Sequence, residues 1–392
     1  MNKKIRISEP WWLKFPKLIA PLYARAKGFK LVGKYKAQKG ERVVVLSNHV
    51  TDLDPVILRM CVNRFLYTLS TDNIYSTKFT MFWLPRLGGV PKRKGISDFE
   101  SVKNMMYIAS KGGSILLFPE GNRAYAEFQY YIAPNFASLL YKLKSTIVLY
   151  NIKGGFGSYP RWGKKRRKGP LSAELKMVLK YDEYKDTPPE KLNEIITTNL
   201  QYFDSGSGNK YKSNCKAEYL ERMFFICPKC GKLSTLHSQG DHLKCSNCGL
   251  DVEYTEDLKL TSKDENFKFT KLVEWYNYQK QFVKNMNIND GIIFEDKNVE
   301  LSKVNPFVVK EDLAKGKLVL TKDKLSVDNV SFDIKDILTA SPMSGRKLLF
   351  TIGKDNYQIK GNERFNALKY VLLFNKLETR MNLEKVDNYF NL

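Results

Sequence analysis

The sequence predicts an α/β domain, followed by a small cysteine-rich metal-binding module and a β-rich C-terminal domain closed by a helix. Apolar runs alternate with helical stretches over about the first 205 residues, which is typical of layered α/β folds with a largely parallel sheet. Two Cys-x-x-Cys pairs follow at 227–248. Residues 290–380 then alternate apolar and polar side chains, which is the spacing of β-strands.

Length, charge and cysteine content narrow the class of protein. A chain of 392 residues with 43% hydrophobic and 27% charged residues indicates two or three globular domains. The 65 Lys and Arg against 41 Asp and Glu give a formal charge of +24, which favours phosphate-rich partners such as nucleic acid, an anionic membrane surface or a phosphorylated metabolite. No apolar run reaches the about 18 residues of a membrane-spanning helix, and the N-terminus is a poor secretory signal. Six cysteines are too few for a disulfide-stapled fold, so we expect a reducing, cytoplasmic-side compartment.

The α/β domain is expected at residues 31–205. Its predicted strands are the apolar runs VVVLS, SILLF and TIVLYNI, at 43–47, 114–118 and 146–152. Ligands of such folds bind at the carboxyl ends of the strands, so polar residues directly after these runs are candidate site residues. The polar, glycine-rich segment 204–210 predicts a linker at the end of the domain.

A histidine and an aspartate follow the first of these runs. His49 and Asp54 lie in the segment NHVTDLDP. Five residues apart, they would not share one face of a helix, so their pairing requires His49 to lie in a turn before a helix that starts at Pro55. Asp54 would then accept the His49 Nδ1 hydrogen, and Nε2 would take a proton from a hydroxyl, as base and orienter do in a catalytic triad. The alternatives are an N-cap role for Asp54 and a purely structural histidine.

A second candidate site follows the run SILLF. The segment FPEGNRAY, at 118–125, places a glycine turn and a cation after a strand. Arg123 suits bidentate phosphate binding, and Gly121 permits close approach of the backbone to a ligand. Glu120 would fix Arg123 or a substrate hydroxyl. The alternative is an ordinary surface turn with an ion pair.

Together, these motifs resemble the glycerophospholipid acyltransferase family, the 1-acylglycerol-3-phosphate acyltransferases and their relatives. The resemblance rests on the order of His-x4-Asp, GGVPKR at 88–93 and FPEGNR, and on their spacing, over about residues 30–165. It implies an α/β acyltransferase domain. It also implies that His49 is the general base that activates an acceptor hydroxyl against an acyl thioester or acyl phosphate, with Asp54 as its orienter.

The same resemblance implies a set of acceptor-phosphate ligands. The corresponding residues are Arg93, Glu120, Gly121 and Arg123. Three positions depart from the family pattern: Asn122 replaces the usual Thr, Ala124 replaces the usual Ser, and the stretch TIVLYNIKGG lacks a Val-Pro pair. These departures bear on the identity of the acceptor more than on the reaction class.

A lipid acceptor lies in a bilayer, so a membrane-contacting segment is expected. Residues 1–30 combine aromatic and apolar side chains with cations, in the pattern of an interfacial helix broken by prolines; the alternative is a buried N-terminal helix. The basic loop at 160–170 places five consecutive cations near Trp162 and suits an anionic leaflet, nucleic acid, an acyl-carrier protein or simple solvation. The sequence thus predicts a peripheral or monotopic protein at the cytoplasmic face of a membrane.

The paired cysteines resemble a zinc ribbon, expected at residues 222–258. CPKCG and CSNCG form two knuckles with fourteen residues between the Cys-x-x-Cys pairs. The predicted ligands are Cys227, Cys230, Cys245 and Cys248. Four thiolates close a tetrahedral site, so zinc is expected to be structural, and no catalytic cofactor is expected. His237 and His242, between the knuckles, are expected at the surface.

The C-terminal region, at 290–380, resembles a pleckstrin-homology-like domain in its pattern alone. Runs such as KLLFTI and NYQIK place apolar side chains two apart, GKDN at 353–356 predicts a hairpin turn, and a helix closes the region. A separate helix is expected at 268–285. Such a module would bind lipid headgroups or a partner, dimerise, or serve structure alone.

The sequence therefore predicts transfer of a fatty acyl chain to the free hydroxyl of a lysophospholipid, with 1-acyl-sn-glycerol 3-phosphate, which gives phosphatidic acid, as the first candidate. Expected partners are that acceptor, an acyl-coenzyme A or acyl-carrier-protein donor and an anionic membrane surface; nucleic acid is not expected. The rival hypothesis is a non-catalytic zinc-ribbon protein that binds membrane or nucleic acid on an acyltransferase scaffold. A third is a lipid-binding tether without turnover.

Overall fold

The computed structural model describes most of the chain. The described residues are 22, 25–26, 28–92, 99–121, 123, 125–127, 132–343 and 345–381, with the side chains of the last helix described as far as 377. Most of the predicted interfacial segment 1–30 and the predicted phosphate ligand Arg93 lie outside them. Within these ranges, no helix has the length and apolar composition needed to cross a membrane.

An α/β domain forms the N-terminal part. Its strands are β1 (Phe29–Val32), β2 (Val43–Ser47), β3 (Leu66–Thr71), β4 (Gly89–Lys92), β5 (Ser114–Leu117), β6 (Thr146–Lys153) and β7 (Leu171–Leu179). Its helices are α1 (Asp54–Cys61), α2 (Lys78–Arg86), α3 (Phe99–Ser110), α4 (Phe136–Leu143), α5 (Gly155–Ser158), α6 (Tyr181–Tyr184) and α7 (Pro189–Leu200), with a 3-10 turn at Asp72–Tyr75. The strand order is β1-β7-β6-β2-β5-β3-β4.

The five strands from β6 to β4 run parallel to one another, while β7 is antiparallel to β6. The three apolar runs of the sequence form β2, β5 and β6, which are buried almost throughout. Both faces are covered: Val44 and Ile115 pack into one core, and Val45 and Leu116 pack into another. Because β2, β5 and β3 are parallel, their carboxyl ends share one edge, where ligands of such sheets bind.

A small antiparallel sheet follows, in the region of the paired cysteines. Its strands are β8 (Leu236–Gln239), β9 (His242–Cys245), β10 (Asp251–Tyr254) and β11 (Leu260–Thr261), in the order β11-β10-β9-β8. The helix predicted at 268–285 is α8 (Leu272–Asn285). It buries Leu272, Trp275 and Tyr276 on one face, which is the spacing of an amphipathic helix.

The C-terminal part is a seven-stranded antiparallel sheet with a closing helix, as the pattern predicts. Its strands are β12 (Ile292–Lys303), β13 (Glu311–Thr321), β14 (Lys324–Val327), β15 (Val330–Asp333), β16 (Ile337–Met343), β17 (Lys347–Ile352) and β18 (Asp355–Lys360). They lie in the order β15-β14-β13-β12-β18-β17-β16. Helix α9 (Ala367–Met381) places Leu368, Val371 and Leu372 in the same core as Phe350 and Ile359 of the sheet.

One core joins the cysteine-rich region, the C-terminal sheet and part of the α/β domain, and this corrects the expectation for the basic loop 160–170. Trp162 is completely buried in that core rather than exposed to a surface partner. Arg167 is 1% exposed, and its guanidinium lies 5.1 Å from the Trp162 ring and 4.7 Å from the Tyr254 ring. One cation of this run, Arg167, therefore packs its guanidinium against aromatic rings instead of facing solvent.

The predicted linker at 204–210 also begins inside the structure. Asp204 is 3% exposed, and its two carboxylate oxygens accept hydrogen bonds from the N–H groups of Gly154 at 2.6 Å and Gly157 at 2.8 Å. A buried carboxylate with backbone donors fixes the chain at this point, so the start of the segment is part of the α/β domain.

Candidate active site

The turn that follows β2 is fixed by the buried side chain of Asn48. Its Nδ2 donates to the carbonyl of Ile152 at 2.9 Å, and its Oδ1 accepts from the Ile152 N–H at 2.7 Å. Ile152 lies on β6, which pairs with β2 as far as Ser47. The amide therefore continues the pairing one residue beyond the strand, and the next residue, His49, leaves the sheet at a defined position.

His49 and Asp54 are joined by a hydrogen bond within this turn. The distance from His49 Nδ1 to Asp54 Oδ2 is 2.8 Å, and the side chain of Asp54 is fully buried while that of His49 is 24% exposed. Because a carboxylate only accepts, Nδ1 carries the hydrogen, and in the neutral imidazole Nε2 carries the lone pair. Helix α1 begins at Asp54, and the N-cap position is Leu53. Asp54 is thus not the N-cap of this helix.

Further donors hold the carboxylate of Asp54. Its Oδ2 also accepts from the N–H groups of Val50 at 2.8 Å and Thr51 at 2.9 Å, and the Thr51 hydroxyl donates to Oδ1. Several donors satisfy a carboxylate that is withdrawn from water. The position of Asp54, and with it the orientation of the His49 ring, is therefore determined by the turn itself.

The loop after β5 holds His49 from another side. The ring of Phe118 stacks on the imidazole with centroids 4.2 Å apart and 20° between the planes. Glu120 Oε1 accepts a hydrogen bond of 2.8 Å from the His49 backbone N–H. The sequence predicts Glu120 as a substrate ligand; the structure shows a positioning contact that the sequence did not predict. The two sequence motifs thus meet at the shared carboxyl edge of β2 and β5.

Arg123 reaches the same turn from the β5 loop. Its Nη1 pairs with Oδ1 of Asp52, whose side chain is 89% exposed while that of Arg123 is 12% exposed. An ion pair with a solvated carboxylate contributes little free energy, so a phosphate can compete for this guanidinium. Gly121, two residues before Arg123, has φ +70°, and a Cβ built on it would meet no atom of the described residues within 4 Å. The glycine therefore permits the turn and leaves open space beside it.

The side chain of Arg161 holds the backbone of Arg123. One guanidinium nitrogen donates to the Arg123 carbonyl at 2.7 Å, and the other donates to the carbonyl of Pro342 on β16. The guanidinium lies 4.3 Å from the ring of Tyr125. Arg161 is 7% exposed, and burial lowers its pKa. A buried cation thus connects the Arg123 loop to the C-terminal sheet.

The structure brings most of the predicted site residues of the α/β domain together. Those at the shared edge are His49, Asp54, Glu120, Gly121 and Arg123. Arg93 is outside the described residues, directly after β4 ends at Lys92. The catalytic and binding roles of all six stay predictions.

Sequence reasoning missed three supporting residues. Asn48 and Phe118 each lie in a predicted motif, directly after a strand. That position in the sequence was the signal by which both could have been found. Arg161 offered no local signal, because it contacts Arg123 from 38 residues away and lies in a segment that reads as a solvated basic loop.

The site combines two groups. The Nε2 of His49 can accept a proton, and the guanidinium of Arg123, which contacts the same turn, can bind an anion. Cys61, seven residues after Asp54, is no competing nucleophile: it is completely buried, and burial raises the pKa of its thiol to about 12. The thiolate needed for attack is absent at neutral pH. The arrangement therefore suits proton removal from a hydroxyl on a phosphate-bearing molecule.

The predicted metal ligands converge at a second site. They are Cys227, Cys230, Cys245 and Cys248, whose sulfur atoms all lie within 4.8 Å of one another. The knuckle glycines Gly231 and Gly249 have φ values of +68° and +73°, which the tight turns require. His237 is exposed, and His242 contacts Asp251 at 2.8 Å, away from the cysteines. The four cysteines can hold a metal ion.

Part of the chain, including the first of these sites, matches a known protein family. The sequence model of the acyltransferase family matches residues 28–153, which contain both motifs. Among solved structures, the crystal structure of the 1-acyl-sn-glycerophosphate (LPA) acyltransferase, PlsC, from Thermotoga maritima is similar, with 13% sequence identity and a TM-score of 0.42, over 48% of this chain and 76% of that one. No curated protein matches the chain.

Proposed function

We propose that the acyltransferase-family domain at residues 28–153 transfers a fatty acyl chain to the free hydroxyl of a lysophospholipid, with 1-acyl-sn-glycerol 3-phosphate as the acceptor and phosphatidic acid as the product. The observation that carries the proposal is the 2.8 Å hydrogen bond from His49 Nδ1 to the buried Asp54. It leaves Nε2 as the base, and Arg123 reaches the same turn from the β5 loop through its ion pair with Asp52.

In the proposed reaction, His49 Nε2 takes the proton of the acceptor hydroxyl as the hydroxyl oxygen attacks the acyl carbon of the donor. An ester C–O bond forms, and the bond from the acyl carbon to the leaving group breaks. The imidazolium then returns the proton to the leaving group. Asp54 keeps Nδ1 protonated and stabilises the imidazolium. Because the acceptor hydroxyl attacks the donor directly, a covalent acyl-enzyme is not required.

Arg123 and Arg93 are the proposed ligands of the acceptor phosphate. Arg123 offers two parallel donors to phosphate oxygens and exchanges its exposed partner Asp52 for them. Gly121 keeps the adjoining space open. Glu120, as a carboxylate, repels a phosphate directly, and we propose that it acts by positioning His49 through the backbone.

The proposed donor is an acyl-coenzyme A or acyl-carrier-protein thioester, and the proposed location is the cytoplasmic face of a membrane, where the protein is peripheral or monotopic. The formal charge of +24 supports contact with anionic lipid and with phosphate-bearing donors. A lysophospholipid is itself a membrane component, so acceptor binding requires access to that surface.

The proposed metal is a structural zinc in a ribbon formed by the four cysteines. Zn–S bonds of about 2.3 Å in a tetrahedron place sulfur atoms about 3.8 Å apart. The Cys227–Cys248 and Cys230–Cys245 sulfur distances are 3.6 and 3.8 Å, so the residues fit the ion. Four thiolates leave no open coordination position, and zinc would supply cross-linking of the two knuckles rather than catalysis.

The test is acyl transfer by the purified protein to a panel of lysophospholipids on anionic vesicles, with acyl-coenzyme A and acyl-carrier-protein donors. His49→Ala is compared with His237→Ala, a matched histidine exposed in the cysteine-rich region. We expect the first variant alone to lose ~10²–10⁴-fold in rate. Equal rates for both would remove His49 from the mechanism. Absence of transfer by folded wild-type protein with every donor and acceptor would contradict the proposed function.

A further inference from the structure

Helix α2 (Lys78–Arg86) lies entirely at the surface, although it is rich in aromatic residues. None of the nine residues of this fully described helix is buried. Phe79 is 70% exposed, Phe82 48% and Trp83 36%. The Trp83 ring contacts the other two, with centroid distances of 6.2 Å for Phe79–Trp83 and 5.1 Å for Phe82–Trp83. Exposed apolar side chains that adjoin one another in this way indicate a binding surface.

A loop of the C-terminal domain extends this surface. Between β12 and β13, Phe307 is 40% exposed, Val308 57% and Val309 54%. The Phe307 N–H donates to the carbonyl of Tyr75 at 2.8 Å, and its ring lies 5.1 Å from that of Tyr75. Three positions later, the Lys310 N–H donates to the carbonyl of Ser76 at 3.0 Å. Since Ser76 directly precedes the N-cap of α2, Thr77, helix and loop are neighbours.

The loop is held in an unfavourable backbone conformation to make these contacts. Phe307 has φ +60°, a left-handed region that bulky side chains rarely adopt. The surrounding contacts must outweigh this cost, because the alternative conformation would separate the loop from Tyr75. The two valines after Phe307 are exposed to solvent, in a loop whose backbone is bonded to Tyr75 and Ser76 just before α2.

The surface borders the candidate active site. The 3-10 turn Asp72–Tyr75 directly follows β3, and β3 is parallel to β5, which in turn is parallel to β2. The turn therefore emerges at the edge from which His49 and the β5 loop emerge. The Asn356 amide of β18 donates to Asp72 at 3.0 Å, so the C-terminal sheet is fixed to this edge.

We propose that α2 and the loop 305–310 together form a docking face for an anionic lipid bilayer, and that the C-terminal domain completes this face beside the active site. Charge favours this occupant: Lys78 and Arg86 flank the aromatic residues of α2, and Lys310 ends the loop. Apolar residues rimmed by cations bind an interface of acyl chains and anionic headgroups. The inference rests on the proposed lysophospholipid acceptor, which reaches His49 from such a surface.

The test is flotation of the full-length protein with vesicles of phosphatidylcholine, with and without phosphatidylglycerol. Phe79→Ser and Val308→Ser are compared with Ile292→Ser, a matched control that is 59% exposed at the opposite end of β12. An apolar side chain transferred from water to lipid contributes about a tenfold change in partition. We expect about tenfold weaker vesicle binding for each face variant, about a hundredfold for the double variant, and no change for the control.

Other occupants give other results. If the face instead binds a second copy of this chain, light scattering would show a dimer that Phe79→Ser and Val308→Ser dissociate while vesicle binding stays intact. If another part of the chain makes the membrane contact, the face variants would bind vesicles as the wild type does. Either result would overturn the proposal.

A soluble acceptor separates this proposal from the proposed function. A short-chain lysophosphatidate dissolved below its micelle concentration reports acyl transfer without a bilayer and also confirms the fold of each variant. Vesicle binding without transfer to the dissolved acceptor would contradict the function and leave the docking face supported. Transfer to the dissolved acceptor, with vesicle binding equal in all variants, would do the reverse.

Discussion

Glu120 Oε1 lies 2.8 Å from the backbone nitrogen of His49 and accepts its hydrogen, across 71 residues of sequence. This hydrogen bond needs an acceptor oxygen but no negative charge. Glu120→Gln keeps such an oxygen and should therefore retain most activity. Glu120→Ala leaves the N–H without its partner and should lower kcat about tenfold or more. The measurement is steady-state transfer by both variants, with KM for the phosphate acceptor. Equal losses in Gln and Ala would show that the charge, rather than the backbone contact, is what matters.

Asp54→Asn should lower kcat by ~10²–10⁴-fold with a small change in stability. An asparagine oxygen can still accept from the Val50 and Thr51 N–H groups, but it does not stabilise an imidazolium. The rate and the thermal unfolding midpoint are measured together. A variant that loses its fold along with its activity would indicate that Asp54 is chiefly structural.

Arg123 and Asp52 should have opposite effects on acceptor binding. Arg123→Ala should raise KM for a phosphate-bearing acceptor about tenfold or more. Asp52→Asn removes a competitor that is 89% exposed, and should lower KM by no more than about fivefold. Monoacylglycerol, which lacks the phosphate, is the control acceptor, and its KM should not respond to either change. A parallel effect on both acceptors would remove Arg123 from phosphate recognition.

Glu127 should make stability depend on pH. Its carboxylate accepts from the N–H groups of Asp204 and of Ser205, the latter at 3.0 Å. Burial, followed by the nearby charge of Asp204, raises the pKa of Glu127 to about 7, above its ordinary value of about 4.3. Between these values the folded protein binds more protons than the unfolded one, so this group lowers stability as pH rises.

The expected result is a stability difference between Glu127→Gln and wild type that grows in favour of the variant from about pH 5 to about pH 8. Urea unfolding at a series of pH values measures it. Glu253→Gln, at an exposed position of β10, is the matched control and should show a constant difference. A constant difference for Glu127→Gln as well would contradict the raised pKa.

Removal of the proposed zinc should destabilise more than the cysteine-rich region. Cys227 and Cys245 belong to the same core as Leu318 and Phe350 of the C-terminal sheet. Cys230→Ser should abolish zinc binding and lower the midpoint of thermal unfolding by about 10 °C or more, and a chelator should do the same to the wild type. Cys215→Ser, at a cysteine outside the group of four, is the control and should leave metal content and stability unchanged. Zinc is counted by elemental mass spectrometry; full stability of the metal-free protein would contradict a structural role.

The parts of the fold that depend on local pattern could be predicted from the sequence. The apolar runs became β2, β5 and β6, and the alternating runs became β17 and β18. The turn chemistry of residues 48–55 and the knuckle glycines also have local causes. In each case the physical signal lies within a few residues of sequence.

Contacts between residues far apart in the sequence could not be predicted from local patterns. Trp162 and Arg167 read as an exposed basic loop, yet the aromatic rings that bury them come from residues such as Tyr254, far along the chain. Asp204 read as linker because its partners, Gly154 and Gly157, lie about fifty residues earlier. The exposed aromatic face of α2 was also missed, since its sequence suggests a buried helix as much as a surface one.

The bond from Arg161 to Pro342 has a consequence for how such a chain can evolve. A gene fragment that ended before the C-terminal sheet would encode an Arg123 loop whose supporting guanidinium had lost an acceptor, and the loss of a buried acceptor is costly. Recombination that exchanged the C-terminal domain for another would meet the same penalty. The C-terminal sheet is therefore expected to be retained together with the loop that carries Arg123.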